Sequence, residues 1–354
     1  MDIYFYLPVL ILVFHFFSLI IGEGLRRILF VILSIIFFVV AGFREMGFDY
    51  EHYSYLFDIY SNKDWFKQSL YYSTEVGYAY ANNIIPDFKA VVAIITFIIV
   101  ITQFSFIYKN TKYPFLAMFF YFGIMFYTSL MGQYRQAFSI GFMLLAITNI
   151  KDKKKFLFLI AIAFTFHYTA LITIILLWIP QKLFKYKTYL IALCISILIG
   201  LVLPKLFSGL SSYSSYLDAK TSYYENADYK EITGINTVMI IRFGLFSLCF
   251  YFREKLAKIP KMEFYMNIYF TSLLIYIAFS FLTALASRGS MYFAFFEIIL
   301  ASNLIYVFRK NILVQVALLS VFVALSIIRQ MNSHTEKNFD ECFNPYKNWL
   351  FKEL

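Results

Sequence analysis

The sequence predicts an all-α polytopic membrane protein, with about ten transmembrane helices and one re-entrant helical hairpin. Three observations carry that expectation. The chain is 61% hydrophobic with a mean hydropathy of +0.69, and 15% of its 354 residues are charged, against about 25% in an ordinary soluble protein. Its apolar residues fall in runs near the length of about 20 that a helix needs to cross a bilayer. Its basic residues fall between the runs: about 17 of the 31 Lys and Arg sit in short loops, the pattern that sets orientation in a membrane.

Taken in order, the runs are 3–21, 27–42, 88–107, 114–131, 134–150, 188–204, 236–252, 263–286, 289–307 and 311–328. The first lacks a basic leading segment and a small-residue cleavage site, so it reads as a retained span. Basic loops hold Arg26 and Arg27, Lys109 and Lys112, the KDKKK stretch 151–155, Lys182 to Lys187, Arg253 to Lys261, and Arg309 with Lys310. With these loops cytoplasmic, the N-terminus is outside. One place breaks simple alternation. The stretches 151–155 and 182–187 are both basic, yet one apolar run separates them. A re-entrant hairpin with a break near His167, in FTFHYTALIT, resolves the conflict. Non-helical backbone at that depth must be buried in protein or line a wet cavity. A plain span with a weak orientation signal is the competing reading.

The whole chain, 1–354, reads as one integral membrane domain with external segments at about 42–87, 205–235 and 329–354. The first of these carries seven acids against three basic residues, and the first two are rich in tyrosine. Tyrosine offers an apolar face and a hydroxyl, which suits a sugar ring; an interfacial aromatic belt is the plainer reading. The net charge of +10 belongs to orientation and is no nucleic-acid signal. Cys194, Cys249 and Cys342 have no metal or disulfide spacing. Gly-rich nucleotide loops, a P-loop, a C-x-x-C pair and an H-E-x-x-H helix are absent from the sequence. The short basic loops carry no D-x-D pair. ATP coupling and nucleotide-sugar chemistry are therefore disfavoured.

The residues that could carry chemistry are four arginines at comparable places. Arg44 follows the second run in AGFREMGFDYEHY. Arg135 lies in MGQYRQ and Arg288 in SRGSMYF, each at an external turn, and Arg242 lies about six residues into its run. A guanidinium is planar, permanently charged and binds phosphate bidentately. Four at one membrane face would suit a pyrophosphate. The competing reading is that each snorkels or pairs with a nearby acid: Arg44 with Glu45 or Asp49, Arg288 with Glu297. His167 is a candidate general base, as is Asp49. Glu75, Tyr53 and Tyr134 are candidate sugar contacts. His15, in mid-run, reads as structural. Asp49, Glu51 and His52 are spaced too loosely for a metal site, and no cofactor is implied.

Five stretches together resemble the EpsG/Wzy-like family of polysaccharide polymerases: AGFREMGFDYEHY, QYRQAFSIGFMLLAI, KDKKKFLFLIAIAFTFHYTALI, SRGSMYF and FNPYKNWL. They occur in the family's order along nearly the whole chain. The resemblance implies a membrane glycosyltransferase fold of the GT-C type in a bacterial inner membrane. It implies undecaprenyl-pyrophosphate-linked repeat units as donor and acceptor, met on the external or periplasmic face, and joined into O-antigen or capsular polysaccharide without metal. It assigns Arg44, Arg135 and Arg288 as motif arginines and His167 as the motif histidine. Arg242 is added on its depth alone. A chain-length regulator and a flippase are the partners such a polymerase would meet. The tail residues Pro345 and Tyr346 have no chemical role beyond packing. Two rivals stay open: an O-antigen ligase or other lipid-linked glycosyltransferase, and a transporter of lipid-linked sugar.

Overall fold

A computed structural model describes residues 3–211, 236–334 and 339–351. Among these the backbone is helical, with one isolated antiparallel bridge between Arg44 and Asn348. The chain divides into two compact units. One comprises Met1–Ile174 with Ala301–Leu354, the other Ile175–Leu300.

The first unit begins with α1 (Ile3–Ser18) and α2 (Glu23–Gly42). The segment predicted to be external then folds as three short helices, α3 (Tyr50–Tyr60), α4 (Trp65–Tyr71) and α5 (Val76–Ile84). Next come α6 (Phe88–Asn110) and α7 (Pro114–Tyr121), the latter continuing as a π-helix, Phe122–Leu130. A turn at 131–133 leads into α8 (Tyr134–Thr148), and α9 (Lys153–Phe166) follows. Local signals set these starts. Asp87 caps α6 by accepting from Ala90 N at 3.1 Å, and Asp152 caps α9 through Lys155 N at 3.1 Å. Each cap satisfies one orphan amide of a first turn. The predicted break at His167 is present: α9 ends at Phe166, His167 is extended, and a 3-10 helix runs over Tyr168–Leu177.

Helix α8 is the buried centre of this unit. Gln103 of α6 donates to Ala137 O at 2.7 Å, and Ser139 donates to Ala163 O of α9 at 2.7 Å. The unit also contains α16 (Ile312–His334) and α17 (Phe339–Phe343).

The second unit is built from α10 (Tyr186–Ser211), α11 (Thr237–Tyr251), the short α12 (Arg253–Leu256), α13 (Met262–Ala278) and α14 (Thr283–Ala294). Helix α13 is its buried member, packed on α10, α11 and α14. Ser196 donates to Leu274 O at 2.5 Å. The outer face of α10 is exposed and apolar, with Leu190, Ile191, Leu198 and Leu201 more than half exposed. An apolar surface of that kind is suited to lipid.

Among the described residues four helices are long and apolar enough to cross a membrane: Glu23–Gly42, Phe88–Asn110, Tyr186–Pro204 and Ile312–Met331. A fifth span exists if α14 and α15 (Phe296–Val307), which meet at a bend of 43°, are counted together. The protein is thus an all-α membrane protein, but the expected ten spans are not reached. The other runs form shorter or interrupted helices. Run 114–131 changes to π geometry half-way. Run 263–286 breaks at 279–282, where Phe279 N and Ser280 N bond back to Ile275 O and Ile277 O and close the helix. This moves Arg288 from the expected turn into the body of α14. Of the expected external segment 205–235, residues 212–235 lie outside the described residues, as do 335–338 and 352–354 of the tail.

Candidate functional site

The first unit gathers seven of the predicted site residues around the start of α8. Arg44 lies two residues beyond α2. Gly47 lets the chain turn there: its φ is +138°, and a Cβ would meet Met131 O at 2.2 Å. Only glycine fits such a backbone at such a contact. The Arg44 stretch is thereby pressed against the end of the π-helix, a geometry often found at functional sites.

Arg44 is 1% exposed. Its Nη1 donates to Ala41 O and, at 3.5 Å, to Thr96 Oγ1 of α6. Its guanidinium carbon lies 5.6 Å from the centre of the Tyr134 ring. Neither Glu45 nor Asp49 pairs with it, contrary to the competing reading: Glu45 forms its salt bridge with Lys89. Among the described residues no carboxylate lies within 4.0 Å of Arg44, and its Nε has no acceptor. A buried guanidinium without a counter-charge costs several kcal/mol.

Arg135, the second residue of α8, is treated differently. Its Nη1 meets Glu75 Oε2 at 2.7 Å, and it lies over two rings, Tyr53 at 5.2 Å and Tyr78 at 5.1 Å. Such stacking adds a cation–π attraction. Arg135 Nε also has no acceptor, and neither does the buried Gln133 Oε1 make a bond. Buried polar atoms are ordinarily paired, so this cluster is unusual in holding three that are not.

Tyr134 joins the two arginines. Its hydroxyl is 2.7 Å from that of Tyr78, and its ring is 4.2 Å from that of Tyr53. Burial raises the proton affinity of Tyr53 above the ordinary phenol value. Its hydroxyl therefore stays a donor, 3.5 Å from Asp49 Oδ2.

Glu75 is 7% exposed and links this cluster to His167. While Oε2 holds Arg135, Oε1 accepts from the backbone N of Tyr168 at 3.3 Å. The Tyr168 hydroxyl donates to Thr74 O at 3.1 Å. The close approach of α5 to α9 makes this possible: a Cβ on Gly77 would meet Thr165 Oγ1 at 2.4 Å. His167 Nδ1 lies 2.6 Å from Thr169 Oγ1. In the tautomer that donates from Nδ1, Nε2 is the proton acceptor.

The C-terminal segment closes the other side of Arg44. Glu45 N bonds Lys347 O and Trp349 N bonds Phe43 O, both at 3.0 Å. Asn348 Nδ2 donates to Val39 O at 3.0 Å and the Tyr346 hydroxyl to Val40 O at 2.9 Å. These carbonyls belong to the last turn of α2, which has no helical partners for them. Tyr346 therefore has a definite task, as an α2 cap.

Arg242 and Arg288 belong to the second unit. Arg242 is the sixth residue of α11 and is 9% exposed. Its Nη1 donates to Ser272 O at 3.0 Å, and it lies 4.8 Å from the centre of the Tyr276 ring. Arg288 is half-buried in α14. Glu297, its expected partner, accepts from the Tyr269 hydroxyl at 3.0 Å. His15 is buried in α1 beside the Tyr113 ring at 5.3 Å, as a structural residue would be. Among the described residues no three His, Cys, Asp or Glu gather as a metal site.

Sequence reasoning reached Tyr78 only as one of many tyrosines in the first external segment, and it missed Thr96. The position of Tyr78 three residues after Glu75, one helical turn on, would have singled it out. Thr96 lay inside an apolar run with nothing to single it out.

The model of the EpsG family matches residues 27–348 of the chain. No curated protein and no solved structure matches it.

Proposed function

The chain belongs to the EpsG family, and on that premise we propose that it is a metal-independent polysaccharide polymerase of the Wzy type with a GT-C fold. Its substrates are undecaprenyl-pyrophosphate-linked repeat units, taken up at the external face of a bacterial plasma membrane. The observation that carries this reading is the pair of guanidiniums held on one tyrosine cluster, Arg44 over the Tyr134 ring and Arg135 over those of Tyr53 and Tyr78, with Glu75 tying Arg135 to the His167 segment.

The growing chain on its lipid pyrophosphate is the donor. A hydroxyl of the acceptor unit attacks the anomeric carbon; the new C–O bond forms as the bond to pyrophosphate breaks. The proton of that hydroxyl passes to Nε2 of His167, with Asp49 as the alternative base. The departing pyrophosphate carries away the electron pair, and Arg44 and Arg135 stabilise its growing charge. Fixed cationic donors in a poorly hydrated site lower such a barrier because they need no reorganisation. Tyr53, Tyr78 and Tyr134 are buried, and their ring faces hold the two guanidiniums in place. Glu75 fixes the Arg135 fork and positions His167.

The test is a reaction of purified protein with synthetic lipid-pyrophosphate repeat units, without nucleotide, read as a ladder on a gel. A ladder that vanishes in His167→Ala supports the reading. No ladder, with transfer to lipid A core instead, would establish a ligase.

A further inference from the structure

In the first unit, α2 and α6 leave a furrow of about 380 Å³ between them. Each helix lines it with residues that recur every three or four positions, so one continuous stripe of each helix faces it. The walls are aromatic and aliphatic. Ser34 and Ser105 provide width, and the Ser34 hydroxyl is turned back to Phe30 O at 2.8 Å. The interior thus offers an occupant little besides apolar surface.

The two ends differ in charge. At one stand Arg27 and Lys109, both exposed and without an ion pair among the described residues. The nearby acid is already committed: Glu23 holds Arg26 at 3.1 Å and accepts from the Tyr108 hydroxyl at 2.8 Å. At the other end the rings of Phe38 and Phe97 meet across the helices, 5.4 Å apart. From Arg27 to Phe38 the helix rises about 16 Å, the reach of an ordinary fatty acyl chain.

We propose that this furrow binds one anionic phospholipid of the bilayer, its acyl chain between α2 and α6 and its phosphate at Arg27 and Lys109. Charge complementarity selects the headgroup, since the only charges lining the furrow are these two cations. It also selects the direction of entry. A polyprenyl chain with its pyrophosphate near Arg44 would come from the opposite end, past the Phe38–Phe97 pair. The lipid would tie together the two helices that hold Arg44, which leaves α2 at its C-terminus and bonds Thr96 of α6.

Native mass spectrometry of the purified protein tests this with phosphatidylglycerol and phosphatidylcholine of identical acyl chains. Phosphatidylglycerol is expected to be retained preferentially, and the R27Q/K109Q double variant to lose that preference by about fivefold per charge. Ser34→Phe, or Ser105→Phe if the first fails to fold, fills the furrow and should remove retention. Lys153→Gln, at the start of α9, should keep it. Equal retention of both lipids, or retention unaltered by filling the furrow, overturns the proposal. So does displacement of the phospholipid by undecaprenyl phosphate that persists in R27Q/K109Q, which would assign the furrow to a polyprenyl chain.

Discussion

Arg135 in the first unit and Arg242 in the second are both held near the start of an apolar helix, and the groups seen to hold them differ. Arg135 has a carboxylate, two tyrosine faces and an Nε with no protein acceptor. Arg242 donates to a backbone carbonyl of the neighbouring α13 and lies on one ring. The first arrangement fixes a fork among hydroxyls and aromatic faces, beside short helices that carry polar residues. The second fastens one helix to another. Depth in an apolar run, which drew attention to Arg242, does not separate these cases; the identity of the partners does.

The largest expected effect sharpens the comparison through Glu75. Glu75→Gln leaves the half-buried Arg135 without its carboxylate, a loss below the roughly 3–5 kcal/mol of a fully buried pair but still the largest of the set. It should be visible as a lowered unfolding temperature in detergent. Next is Arg135→Lys, which keeps the charge and the reach to Glu75 but loses the planar fork. Polymerisation should fall about 10²- to 10³-fold, as when one preorganised donor is removed, with little change in unfolding temperature. Arg44→Gln should lower the rate by about 10²-fold yet leave stability unchanged or raised, because a buried cation with no counter-charge is removed. A drop in both would mean that Arg44 is structural and would break the comparison. The smallest effect is Asn348→Ala, which frees Val39 O and should cost about 1 kcal/mol of thermal stability.

Parts of this were legible in the sequence. Arg44 could be found because it ends an apolar run where two glycines permit turns, and the structure places it there with Gly47 in a conformation other residues rarely adopt. The break at His167 could be found because polar residues interrupt an apolar stretch between two basic loops. The pairing of Glu75 with Arg135 could not: the partners are separated by 60 positions, and it depends on how α4, α5 and α9 pack. The number of spans was overestimated for a related reason. Hydropathy sums over a window, and neither the π geometry after Tyr121 nor the helix break at 279–282 changes that sum. The FNPYKNWL tail was recognised as an element, but its work as a cap on α2 rests on backbone carbonyls, which no sequence pattern displays.

The most direct measurement compares Arg135→Lys and Arg242→Lys in the same purified polymerisation reaction, with unfolding temperatures taken alongside. The account predicts that Arg135→Lys loses the ladder while remaining folded. It predicts that Arg242→Lys, which can still donate to Ser272 O, loses much less activity. An undiminished ladder from Arg135→Lys, or equal losses from both, would contradict the assignment of the chemistry to the arginine–tyrosine cluster of the first unit.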